Sequence, residues 1–123
     1  MERVGIVLIS HSSKIAEGLK ELISQVITEV PVEAAGGTEE NEIGTSIEKI
    51  LESIHRADCG KGVMLFYDIG SAKMNAEIAI EMAESIEVMI SEAPLVEGAY
   101  VGAVESGMAK SLQEVNNAVE KAF

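Results

Sequence analysis

One stretch constrains this chain more than any other: the apolar residues Val4, Gly5, Ile6, Val7, Leu8 and Ile9 give way at once to Ser10, His11, Ser12, Ser13 and Lys14. A β-branched run with no polar alternation reads as a strand covered on both faces, as in a parallel sheet. Ser12 and Ser13 can cap a following helix, in which Ile15, Leu19, Leu22, Ile23, Val26 and Ile27 fall on one face of 3.6-residue period. His11 is thereby carried to the carboxyl tip of the first strand, where open α/β sheets bind their ligands.

The same grammar recurs along the chain. Pro31-Val32-Glu33-Ala34-Ala35 reads as a second strand that stops at Gly36-Gly37, where a loop through Thr38, Glu39, Glu40, Asn41 and Glu42 begins. Thr45-Ser46-Ile47-Glu48 has the form of a capping box opening a second helix, with Ile47, Ile50, Leu51 and Ile54 spaced for one buried face. Val63 to Tyr67 repeats the buried-strand pattern and ends in Asp68-Ile69-Gly70-Ser71-Ala72, a small-residue turn into a third helix reaching Ala83. Ile86 to Ile90 is a fourth strand, Ala93 to Gly98 turns into a fourth helix, and Ser111-Leu112-Gln113-Glu114 caps a fifth. Gly98 to Ala109 is left unassigned by its pattern. Alternating strands and helices argue an α/β fold, a doubly wound, mainly parallel sheet with helices on both faces. With 123 residues, 47% of them hydrophobic, the expectation is a single domain over residues 1–123.

Charge narrows the partners. The 21 acidic residues exceed the 9 basic ones by enough to give a net charge of −12, which repels nucleic acid and anionic membranes and favours partners with basic faces. No apolar run approaches the roughly 20 residues of a membrane span, and Glu2-Arg3 leads directly into the first strand without room for a signal peptide, so a soluble, cytoplasmic protein is expected. Cys59 has no second cysteine to pair with. His55 falls in the last turn of the second helix, where a cation suits the helix dipole, and two distant histidines without a cysteine cluster make no metal site. The six methionines read as core filler.

The chemistry belongs at the strand tips. Adjacent parallel strands lie about 5 Å apart, so His11 and Asp68 can meet if their strands are neighbours. A carboxylate bonded to one ring nitrogen fixes the tautomer and leaves the other nitrogen nucleophilic, which makes His11 the candidate nucleophile and Asp68 its orienter. Helix starts at Ser12-Ser13 and at Gly70-Ser71 would offer N–H groups to an anion, so Ser12, Ser13, Gly70 and Ser71 are candidate phosphate-binding residues. A plainer reading stands beside this one, in which the histidine and the aspartate each merely cap a helix. No Gly-x-Ser-x-Gly elbow surrounds Ser10, Ser12 or Ser13, no Gly-x-x-x-x-Gly-Lys loop occurs, and no Gly-x-Gly-x-x-Gly follows the first strand. Neither a serine hydrolase nor a nucleotide cofactor is therefore expected.

Ile9 to Ser13, Ala34-Ala35-Gly36, Ile43-Gly44-Thr45, Asp68 to Ala72 and Ala93 to Ala99, in that order, resemble the DhaM family, the phosphotransfer subunits of phosphoenolpyruvate-dependent dihydroxyacetone kinase. More broadly the chain is similar to the IIA domains of mannose-type sugar phosphotransferase systems. The resemblance implies that His11 accepts phosphoryl from the histidine-containing phosphocarrier protein HPr and passes it to ADP bound on the nucleotide-binding kinase subunit. A different subunit would hold dihydroxyacetone. It also implies a homodimer, a separate donor protein, and one last strand lying antiparallel at the sheet edge. Two other classes stay open: a regulatory module sensing a phosphorylated metabolite without covalent chemistry, and a IIA subunit serving a membrane sugar transporter.

Overall fold

In a computed structural model, which describes residues 2–123, β1 (Gly5–Ser10) is buried along its whole length. It runs at the centre of a four-stranded sheet in the order β2 (Val32–Gly36), β1, β3 (Val63–Tyr67), β4 (Val88–Ile90). Every pairing is parallel, with Ile9 opposite Ala35 on one side and Tyr67 on the other. Burial on both faces explains why β1 and β3 read as continuous apolar runs. Because side chains alternate across a strand, Ile6, Leu8, Met64 and Phe66 feed one core while Val7, Ile9, Val63 and Leu65 feed the other.

Helices α1 (Ser13–Val26), α4 (Leu95–Gly107) and α5 (Leu112–Ala122) cover the first face, through Leu19, Ile23, Ala99, Ala103, Val115 and Val119. Helices α2 (Ile47–Ala57) and α3 (Ser71–Met82) cover the second, through Ile50, Ile54, Ala72, Ala76 and Ala79. The chain leaves β1 towards β2 on one face and returns to β3 across the other, so the direction of winding reverses between β1 and β3. That reversal opens a crevice at their carboxyl ends.

Several expectations need correction. The antiparallel edge strand is not found among the described residues: Gly98 to Ala109 lies in and just beyond α4. Gly98 and Gly102 face the sheet there, and a Cβ on Gly102 would stand 2.8 Å from the buried Phe66 ring. On α1 only Ala16, Leu19 and Ile23 are buried, whereas Ile15, Leu22 and Val26 are exposed, because the helix meets the sheet along a strip narrower than its apolar arc. Helix α2 is capped one residue later than expected: Ser46 accepts from the Lys49 N–H, and the Thr45 hydroxyl instead accepts from the Asn75 amide. The box at Ser111 and Glu114 is present in both directions. Strand β4 is shorter than the stretch from Ile86. Met64 is core, but Met74, Met82 and Met108 are exposed, and Met1 lies outside the described residues. Cys59 donates its thiol to the Arg3 carbonyl. Among the described residues no helix is long and apolar enough to cross a membrane.

Candidate functional site

His11 and Asp68 meet at the β1–β3 reversal. Asp68 is the first residue after β3, and its N–H bonds to the Ile9 carbonyl of β1 at 3.2 Å, extending the ladder one step past the end of β3. Its carboxylate takes four donors. Oδ2 accepts from the Ser10 hydroxyl at 2.8 Å and from the His11 N–H at 3.0 Å, and Oδ1 accepts from His11 Nδ1 at 3.0 Å and from the Ile69 N–H at 2.7 Å. Burial pushes the Asp68 carboxyl up, but the hydrogen bonds from His11, Ser10 and the two backbone N–H groups together outweigh it and hold the group below its usual value.

A carboxylate can only accept, so Nδ1 carries the ring hydrogen. In the neutral ring Nε2 then keeps its lone pair and can accept from the Ser71 hydroxyl, 2.8 Å away. The side chains of His11 and Asp68 are 20% and 18% exposed, so the ring is shielded on its Asp68 side and reachable at Nε2. Such an atom can attack an electrophilic phosphorus. Oxygens on that phosphorus would meet the start of α3, where the Ala72 and Lys73 N–H groups bond back to Ile69 and Gly70 and leave those of Gly70 and Ser71 as donors.

The remaining candidates separate. Ser71 lies against the ring. The Ser12 hydroxyl caps α1 by accepting from the Ile15 N–H at 3.3 Å, while its own N–H donates to Ser10 Oγ at 3.0 Å. Ser13 lines a concavity on the β2 side with Gly36, Asn41 and Lys49. Gly70 has an ordinary helical backbone and open space beside it, so what it offers is its N–H and room for approach. Ser10 is the residue that sequence reasoning missed. It is fully buried and links Asp68 to the start of α1; its signal was a hydroxyl in the last position of an otherwise apolar strand.

The loop from Gly37 to Ser46 closes the opposite flank. The Gly37 N–H bonds to the Ser10 carbonyl at 3.1 Å, and the Gly44 N–H bonds to the His11 carbonyl at 2.8 Å. Gly44 has φ +142, a conformation that favours glycine. Beyond β3, Glu92 accepts from Lys73 Nζ at 2.6 Å and from the Tyr67 hydroxyl at 2.5 Å, and these bonds hold its carboxyl down. Lys73 is thereby engaged with Glu92. Among the described residues no three His, Cys, Asp or Glu side chains are grouped to hold a metal.

Comparison with known proteins adds a lineage to this geometry. Residues 5–116 match the family described as PTS system fructose IIA component. The chain is 42% identical, over 85% of its length and 82% of the relative's, to PEP-dependent dihydroxyacetone kinase 1, phosphoryl donor subunit DhaM, of Listeria innocua. It is 37% identical, over 95% of its length and 94% of the relative's, to PTS-dependent dihydroxyacetone kinase, phosphotransferase subunit DhaM, of Lactococcus lactis. Among solved structures it is similar to a protein described as of unknown function, EF1359, with TM-score 0.86, 33% identity, and coverage of 97% of this chain and 94% of that one.

Proposed function

The chain belongs to the family of PTS system fructose IIA components, and on that premise we propose that it is the phosphoryl donor subunit of a phosphoenolpyruvate-dependent dihydroxyacetone kinase. The observation that carries the chemistry is the Asp68–His11 clamp, which in the neutral ring puts the hydrogen on Nδ1 and presents Nε2 as the nucleophile at the crevice. In the first half-reaction Nε2 attacks the phosphorus of the phosphorylated carrier protein. The bond to the carrier breaks, its electron pair leaves with the carrier, and phosphohistidine forms while Nδ1–H stays on Asp68. In the second, a β-phosphate oxygen of ADP on the kinase subunit attacks phosphorus, the N–P bond returns its pair to Nε2, and ATP forms. Ser71, Gly70 and Ser12 are assigned to the phosphoryl oxygens, and Ser13 to the rim. The protein acts in the cytoplasm as a homodimer, which sedimentation analysis tests.

The family's own description favours one second reading, a IIA subunit that hands phosphoryl to a sugar transporter. One experiment separates the two. The protein is loaded from phosphoenolpyruvate through the general carrier proteins, and a single acid-labile phosphate is expected by intact-mass analysis, absent in His11→Ala. The loaded protein is then mixed with free ADP, with ADP-loaded kinase subunit, or with membranes bearing a mannose-type transporter. Rapid discharge to the ADP-loaded subunit alone is the expected result; discharge to the membranes alone establishes the transporter reading.

A further inference from the structure

Four large apolar side chains stand in solvent on the segments that converge on His11: Ile43 at 77% exposure, Met74 at 67%, Ile69 at 60% and Ile15 at 51%. Single exposed apolar residues are ordinary, but four on the segments bonded to or flanking one candidate nucleophile mark a surface that something covers. Ile43 is the most exposed of them, and its loop is held rather than loose. Besides the bonds from Gly37 and Gly44, the Thr38 N–H bonds to the Glu42 carbonyl at 2.9 Å. Lys49 Nζ reaches the Gly36 carbonyl at 3.0 Å and the Asn41 side chain at 2.6 Å. Asn41 itself is fixed at φ 64. The loop therefore presents an isoleucine to solvent with little disorder to lose, which lowers the cost of docking.

Glu39, Glu40 and Glu42 flank that isoleucine, all exposed. Glu39 and Glu48 repel each other enough to raise the Glu39 carboxyl above its usual value. A partner that fits must offer an apolar concavity edged by lysine or arginine. We propose that Ile43, supported by Ile15 and Ile69, is the docking knob for the nucleotide-bearing subunit that takes phosphoryl from His11. The inference rests on the function proposed above. ADP must bring an oxygen within bonding reach of a phosphorus on Nε2, so the protein holding it has to cover the residues that ring His11. The relatives are described as phosphoryl donors, so docking of an acceptor is a contact this reading requires, beside that of the carrier protein.

The test loads His11 without any protein donor. Phosphoramidate gives up its phosphoryl group to Nε2, its P–N bond breaking and ammonia leaving. Loaded wild type, Ile43→Ser and Met82→Ser are then mixed with rising concentrations of ADP-loaded kinase subunit, and loss of phosphate from His11 is followed by rapid quench. Met82 is an equally apolar control at the far end of α3, 11 residues beyond Ser71. The acceptor concentration giving half-maximal rate is expected to rise about tenfold or more in Ile43→Ser, at unchanged maximal rate, with Met82→Ser like wild type. Ile43→Ser rates within twofold of wild type at low acceptor overturn the inference, as does an equal loss in Met82→Ser. Wild type that neither phosphoramidate nor the carrier proteins can load overturns the functional reading itself, and this inference with it.

Discussion

Asp68 does more than cap a helix, since its two oxygens tie together Ser10, the backbone N–H and Nδ1 of His11 and the turn into α3. Replacing Asp68 with alanine should slow phosphoryl transfer about 10²-fold or more while circular dichroism stays unchanged, because the ring loses its fixed tautomer and the charge beside it. A rate within twofold of wild type would sink the orienting role. The depressed carboxyl has a second consequence, in acid. Its folded pKa lies below the ordinary value near 3.9, so between the two values the unfolded chain binds more protons and stability rises with pH. The contribution is complete above the ordinary value and is lost as pH falls through the folded one. Urea unfolding of wild type and Asp68→Asn should therefore show a stability gap that narrows below about pH 4; a gap flat with pH contradicts the linkage. His11 and Asp68 were legible in the sequence because each ends an apolar run. Ser10 was not, since a single hydroxyl at a strand end looks the same whether it faces a carboxylate or solvent.

At the scale of elements, α4 shows where pattern reading runs out. Its contact with the sheet is made by Gly98, Ala99, Gly102 and Ala103, residues too small to register as a hydrophobic stripe, yet their smallness lets the helix approach Phe66. Gly102→Val should cost about 2 kcal/mol in denaturant unfolding, because the added atoms have no room beside a fully buried ring. Gly18→Ala, mid-helix on α1 with nothing within 4 Å of the new Cβ, should raise stability by up to about 1 kcal/mol. Equal stabilities for the two variants would mean that α4 can shift to relieve the overlap. The opposite error arose on α1, where six apolar residues predicted a wide buried face and the sheet reached only part of it. Periodicity reports which side chains are apolar, whereas the neighbouring helices decide which of them are covered.

For the whole molecule, parallel strands place every carboxyl tip at one end, so His11, the Gly37–Ser46 loop and the starts of α1 and α3 share a surface on a protein of net charge −12. Transfer to a basic partner should slow several-fold as ionic strength rises from about 0.05 M to about 0.5 M, because screening shortens the reach of that charge. A rate independent of salt would remove electrostatics from the encounter. The parallel architecture was legible because both central strands are apolar on both faces; the expected antiparallel edge came from resemblance alone, and none of the described residues forms it. The register of β1 against β3 has one more consequence. Sliding either strand by a single residue turns its side chains to the opposite face and sets Tyr67 or Ile69 where Asp68 belongs. On the proposed function, the ability to take up phosphate then proofreads the sheet: a chain mispaired by one step is chemically silent and draws nothing from the phosphoryl supply.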